Sequence, residues 1–300
     1  MISRGYERKF VYGLLAAGGT LGILIPPSIP MIVYGFVAEE SVLSLFLAGI
    51  VPGLLLLILF IIYAMIHARY YGGYTPEAPA SWETRIHTSL RALPSMAMAV
   101  LIIGVIYSGA ATPTEAAAVG FAFSLIITGF ILRTLTWTGF KEAAFEAMAT
   151  TVAILLIIAG AKIFGKAITL YRIPQDISAF IGANIDTPAI FMLVVSCVLL
   201  IMGLVFEALS MVLIMTPVLL PAAMAMGLDP IWFGVFMVIM VECALITPPV
   251  GLNLYVIQSV AKAGLGEVAR GVLPFLLLMF LTAVLLYFIP DLALYVPFKL

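Results

Sequence analysis

The chain has 300 residues, of which 64% are hydrophobic and 10% charged, and its mean hydropathy is +1.23. A water-soluble chain of this length is about a quarter charged, so a soluble globular domain is excluded. With 14 Lys+Arg against 15 Asp+Glu, no basic excess is left for nucleic acid. The composition predicts an all-α, polytopic protein of the lipid bilayer.

At the start, Arg4, Arg8 and Lys9 precede a short apolar run that breaks at Gly18-Gly19. It is too short for a span and leads into more apolar sequence, so it reads as membrane domain rather than a secretory signal. Residues 21–30 then carry Gly22, Pro26, Pro27, Ser28 and Pro30 inside an apolar stretch. Two adjacent prolines remove two backbone donors and push the residue before each out of the α region, so no helix runs through. Residues 44–66 hold no charge over 23 positions. As a helix this run is about 34 Å long, enough to cross the roughly 30 Å hydrocarbon core. Similar runs cover 92–107, 116–132, 147–161, 187–206 and 271–289.

Residues 67–91, with Arg69, Arg85, Arg91 and both histidines, read as a solvated loop whose arginines favour the cytoplasmic side. Thr112-Pro113-Thr114-Glu115 is a capping box: threonine at the N-cap, proline at the first helical position, Glu115 three residues on. A helix start explains it locally; a functional reading adds that such a terminus presents partial positive charge to an anion. Over 137–148, Trp137, Phe140, Ala144 and Met148 share a face opposite Lys141, Glu142 and Glu146, which predicts a helix lying in the membrane interface. Lys162 and Lys166, one turn apart, either snorkel to the interface or face a cavity and pair with an anion. Residues 171–186 read as a mixed linker.

Glu207-Ala208-Leu209-Ser210 lies between two apolar arms of about 16 residues, short of the roughly 20 a span requires. This predicts a re-entrant hairpin over 192–226, with Glu207 an intramembrane carboxylate fit for a cation or proton; the alternative is a tight turn between two full spans. Residues 215–221 and 245–253 again put proline inside apolar sequence. At the latter, Thr247, Pro248, Pro249, Gly251 and Asn253 predict an unwound segment, whose carbonyls, Thr247 hydroxyl and Asn253 amide are oxygen ligands suited to Na⁺. A kinked packing helix is the alternative. Irregular backbone at membrane depth survives only beside protein or a water-filled cavity, and paired broken helices point to a translocation site. The two double prolines match one another, and the match places Tyr34 within one position of Tyr255.

An enzyme is not supported. His67 and His87 are 20 residues apart, which is no metal-ligand spacing. No hydrolase elbow or phosphate loop is present, and Cys197 and Cys243, both in apolar runs, form no redox pair. A channel would need a continuous polar face, and no span shows one.

Six motifs in order resemble the large membrane subunit of TRAP (tripartite ATP-independent periplasmic) transporters. They are Gly5-Tyr6 with Phe10, the run 16–28 through Gly22 and Pro26-Pro27-Ser28, the run 47–53 ending in Pro52-Gly53, and the run 112–119. Gly227-Leu228-Asp229-Pro230 with Phe233-Gly234, and Thr247-Pro248-Pro249-Val250-Gly251, complete the set. The resemblance covers nearly the whole chain. It implies an elevator-type secondary transporter with re-entrant hairpins, broken helices and inverted repeats. Uptake would be of small organic acid anions such as C4-dicarboxylates or sialic acid, with Na⁺ as coupling ion and no other cofactor. The implied partners are a periplasmic substrate-binding protein and a small membrane subunit, and the implied location is the inner or plasma membrane of a bacterium or archaeon.

Carried onto this sequence, the resemblance puts a broken helix of the first transport half in 1–40 and scaffold spans in 41–148. The second half occupies 149–265, with hairpin 192–226 and broken helix 229–262, and a C-terminal span occupies 266–300. It places Na⁺ ligands at Ser28, Glu207, Ser210, Thr247 and Asn253. Substrate and transport candidates are Gly22, Pro26, Pro27, Thr112, Glu115, Pro248, Pro249 and Gly251. One departure stands out. The second double proline follows a hairpin whose tip lies about 40 residues upstream, whereas only 25 residues precede the first. The first repeat is therefore expected to be incomplete, with its hairpin absent from this chain. Two readings follow: the permease component of a tripartite system, or a truncated or accessory membrane polypeptide without transport activity of its own.

Overall fold

The computed structural model describes residues 1–71, 80–185 and 187–299, and every regular element among them is helical. Among the described residues five helices are long and apolar enough to cross a membrane, and Arg8–Leu24 with Ile29–Ala38, bent by 41° at the break between them, are long and apolar enough together. The protein is a multi-pass membrane protein. It divides into two compact units, one from Met1–Thr75 with Gly160–Leu300 and one from Pro76–Ala159.

The first unit contains α1 (Arg8–Leu24), α2 (Ile29–Ala38) and α3 (Val42–Tyr71). After the second part of α6 (Trp137–Leu170) come α7 (Ile173–Asn184), α8 (Pro188–Met202), α9 (Ala208–Ala225) and α10 (Pro230–Ile246). The chain ends in α11 (Leu252–Ala261), α12 (Leu265–Phe288) and α13 (Asp291–Lys299). Side-chain caps set several helix starts. Thr187 opens α8, Glu207 opens α9, and Asp229 opens α10 by accepting from the Ile231 and Trp232 amides, with Pro230 at the first position.

At the centre of this unit lies α10, in which all residues from Ile231 to Ile246 are buried. It packs against α12, α9, α8, α1, α3, α2, α11 and α13. The Trp232 indole N–H donates to the Leu286 carbonyl at 3.0 Å, fixing the start of α10 beside the end of α12. Around it, α1 lies on α12, α3 on α13, and both α2 and α7 on α9. The second unit holds α4 (Trp82–Tyr107) packed on α5 (Pro113–Ile126), a π-helical turn at Ile127–Ile131, and the first part of α6.

Four local expectations differ from what is observed. The loop expected over 67–91 is partly helical: α3 continues to Tyr71 and α4 starts at Trp82 behind the Ser81 cap, while 72–79 lie outside the described residues. The interfacial helix expected at 137–148 is the opening of one continuous 34-residue helix, α6. No proline or glycine falls between Met148 and Ala159 to interrupt it. The linker expected at 171–186 contains α7, started by Pro174. Finally, α9 runs unbroken through Pro217 and Pro221. Single prolines a turn apart each remove one donor and are tolerated in membrane helices, unlike an adjacent pair.

Candidate transport site at two broken helices

At the first break, α1 stops at Leu24, Ile25 turns extended, and α2 begins after Ser28; the Pro26–Pro27 peptide is cis. Ser28 bridges the gap. Its hydroxyl donates to the Ile23 carbonyl behind it and accepts from the Met31 amide ahead at 3.4 Å. Pro26 and Ser28 are buried, whereas Gly22 and Pro27 are exposed. On α3, Gly49 and Gly53 sit one turn apart under this break. A Cβ at Gly49 would lie 3.0 Å from the Leu24 carbonyl oxygen, and one at Gly53 would lie 2.8 Å from the Ile25 side chain. The two glycines let the break seat directly on α3. Tyr34, fully buried on α2, donates its hydroxyl to the Pro230 carbonyl at 2.7 Å and so ties the far side of the break to the start of α10.

At the second break, α10 stops at Ile246 and α11 begins at Leu252, with a cis Pro248–Pro249 peptide between. The Thr247 hydroxyl donates back to the Cys243 carbonyl at 2.6 Å. No side chain caps α11: Gly251 stands at its N-cap with φ 29 and ψ 98. A Cβ there would meet the Leu245 and Thr247 carbonyl oxygens, each at 3.0 Å, so main-chain oxygens crowd this turn. Asn253 is half-buried on the first turn of α11, Pro248 is half-buried and Pro249 exposed. The two broken helices pack on each other, α1 against α10 and α11, and α2 against α10.

The α8–α9 hairpin approaches the second break. Gly203, at the end of α8, packs so closely on Ala244 that a side-chain carbon there would overlap it. This places the tip at the same end of α10 as Thr247. Within the tip both Glu207 oxygens are engaged: Oε2 accepts from the Leu209 amide at 2.9 Å, and Oε1 accepts from the Ser210 amide and hydroxyl, both at 2.8 Å. The carboxylate thus acts as the α9 cap. Thr112 and Glu115 belong to the other unit and form a reciprocal capping box, the Thr112 amide and hydroxyl each donating to Glu115 Oε2 at 2.8 Å. Both are exposed. A separate cavity of about 340 Å³ opens between the end of α2, α6 and α9, lined among others by Glu39, Lys162 and Lys166. The Lys162 ammonium lies 4.4 Å from the centre of the Phe36 ring.

Three features of this region were given no role from sequence. Tyr34 was visible only through its correspondence with Tyr255, and the Gly49/Gly53 pair only as part of a longer motif. Glu242, an acid inside an apolar run, is fully buried in α10, and neither of its oxygens has a hydrogen-bond partner among the described residues.

Two discontinuous helices packed on each other, within an all-helical membrane-spanning chain, define a polytopic protein built around broken spans. The chain belongs to the DctM component family of tripartite ATP-independent periplasmic transporters, whose profile matches residues 1–292. It is 38% identical over 299 residues to the C4-dicarboxylate TRAP transporter large permease protein DctM of Pseudomonas aeruginosa, covering 99% of this chain and 69% of that one. It is 35% identical over 292 residues to the sialic acid TRAP transporter large permease protein SiaM of Vibrio cholerae, covering 97% and 68%. It is 36% identical over 296 residues to the isethionate TRAP transporter permease protein DctMQ of Oleidesulfovibrio alaskensis, covering 98% of this chain and 46% of that protein. These relatives are transporter permeases, not enzymes.

Proposed function

We propose that this chain is the large permease subunit of a sodium-coupled, binding-protein-dependent transporter that takes up a small organic acid anion across a bacterial or archaeal inner membrane. The observation that carries the reading is the pair of double-proline breaks, at Ile25–Ser28 and at 247–251, on helices that pack against each other. Crowded main-chain carbonyls at Gly251, the Thr247 hydroxyl and the Asn253 amide supply hard oxygen donors for Na⁺. Ser28 and the Glu207–Ser210 tip stand as the remaining candidate ligands. The anion would meet amide dipoles at the starts of α2 and α11, around Gly22, Pro26, Pro27, Pro248, Pro249 and Gly251. The substrate class is supported by the relatives, named for a C4-dicarboxylate, sialic acid and isethionate. A periplasmic binding protein and a small membrane subunit would complete the system, with the hairpin and broken helices moving together as the carrier.

The test is uptake into proteoliposomes holding the assembled permease, with its binding protein outside and a Na⁺ gradient imposed or absent. Thr247→Val and Asn253→Ala should each raise the Na⁺ concentration needed for half-maximal uptake, leaving the binding protein's affinity for substrate unchanged. Uptake indifferent to Na⁺ in the unaltered assembly would overturn the coupling.

A further inference from the structure

Five polar or charged side chains are buried in the described residues: Thr20, Ser28, Thr216, Thr282 and Glu242. The four hydroxyls are satisfied locally, each donating to a main-chain carbonyl three to five residues earlier, Ala17, Ile23, Val212 and Leu278 respectively. Glu242 is not satisfied. It is 0% exposed, both oxygens lack a partner, and no ion pair among the described residues includes it. Its neighbours along α10, from Ile239 to Ile246, are all buried and otherwise apolar apart from the Cys243 thiol.

An isolated carboxylate in such surroundings is so costly that the group neutralises, and two ligands could do that. A metal cation would require several more oxygens around it. No cluster of three His, Cys, Asp or Glu occurs among the described residues. A proton requires only the carboxyl itself. We propose that Glu242 is a proton-binding site: α10 carries it as a neutral carboxylic acid, and its proton exchanges only when the packing around α10 opens to water.

Ionisable groups turned into the same core are few. Tyr12 of α1 and Tyr34 of α2 are buried phenols, and Cys243 is the next residue in the chain. The Tyr34 hydroxyl is committed to Pro230, twelve residues away at the other end of α10. On α8 the thiol of Cys197 is exposed, α9 has no ionisable side chain, and Tyr255 of α11 is 44% exposed. Lys9 of α1, Arg270 of α12 and the Asp291–Lys299 pair of α13 lie at exposed positions, while His67 near the end of α3 faces Glu7. None is a buried counter-charge for Glu242. This inference does not rest on the sodium reading of the two breaks.

Infrared spectroscopy of the assembled permease in lipid, titrated with protons and compared with its Glu242→Gln variant, tests it. The unaltered protein should show, at neutral pH and without sodium, one protonated-carboxyl band that the variant lacks. The band should persist when sodium is added. Its absence at neutral pH, or its loss on adding sodium, would overturn the proposal, the latter by showing that a metal cation takes the proton's place. Should Glu242→Gln fail to fold, Glu242→Asp supplies the assignment by shifting the same band.

Discussion

The two breaks share a double proline and yet are held in different ways. The first is held by three sets of contacts: Ser28 spans it with two hydrogen bonds, Gly49 and Gly53 seat it on α3, and Tyr34 anchors α2 to Pro230. The second has no cap on α11, a glycine in a conformation other residues resist, and a tyrosine, Tyr255, left 44% exposed where its counterpart Tyr34 is buried. The same local chemistry, which stops a helix, thus produces one capped bend and one turn with no side-chain cap. What differs is the set of neighbours each bend meets. An ion-binding or moving element is drawn from the less fastened parts of a fold, which favours the second break for that role.

Substitutions sharpen or break this contrast. The largest effect is expected at Gly251→Ala, where φ 29 is unfavourable for any side chain and the new Cβ meets two carbonyl oxygens at 3.0 Å. About 2 kcal/mol of stability should be lost, read as a lower unfolding temperature of the purified permease. Tyr34→Phe should cost about 1 kcal/mol by removing a buried hydrogen bond, whereas Tyr255→Phe should leave the unfolding temperature unchanged. An equal loss from both tyrosines would erase the distinction between the breaks. Ser28→Ala should also cost about 1 kcal/mol, the usual worth of an N-cap, without a comparable loss from Thr247→Ala, since Thr247 stands at the C-cap of α10 and caps no helix N-terminus. The smallest effect is expected at Gly22→Ala. A Cβ there meets nothing within 4 Å, and alanine in a helix is favoured over glycine by about 0.5–1 kcal/mol, so stability should hold or rise slightly.

The two breaks and one helix start were legible because their causes are local. Adjacent prolines at 26–27 and 248–249 stop a helix wherever they fall, and Thr112 with Glu115 forms a capping box from spacing alone. Glu207 shows the limit of such reasoning. As a lone acid between apolar arms it suggested an ion site, and in the structure its oxygens also accept from the Leu209 and Ser210 amides, so that it caps the helix it opens. That outcome depends on where α9 begins, which the run of apolar residues did not reveal. The linker at 171–186 was misjudged for a related reason, because α7 is a short helix that packs on α9, a partner distant in sequence.

Sequence by itself determined that the protein lives in a bilayer and where two of its helices must break. These follow from hydropathy and from proline's missing donor, both properties of a few neighbouring residues. Only tertiary structure decided which apolar helix faces protein. Every residue of α10 from Ile231 to Ile246 is buried, whereas the most apolar stretch of α6 has none buried within this chain. In water, burial would mark the difference with a polar face; in lipid, an outward face is as apolar as an inward one. The pattern that distinguishes them in soluble proteins is therefore absent, and only the packing of distant segments reveals that Glu242 lies in the core.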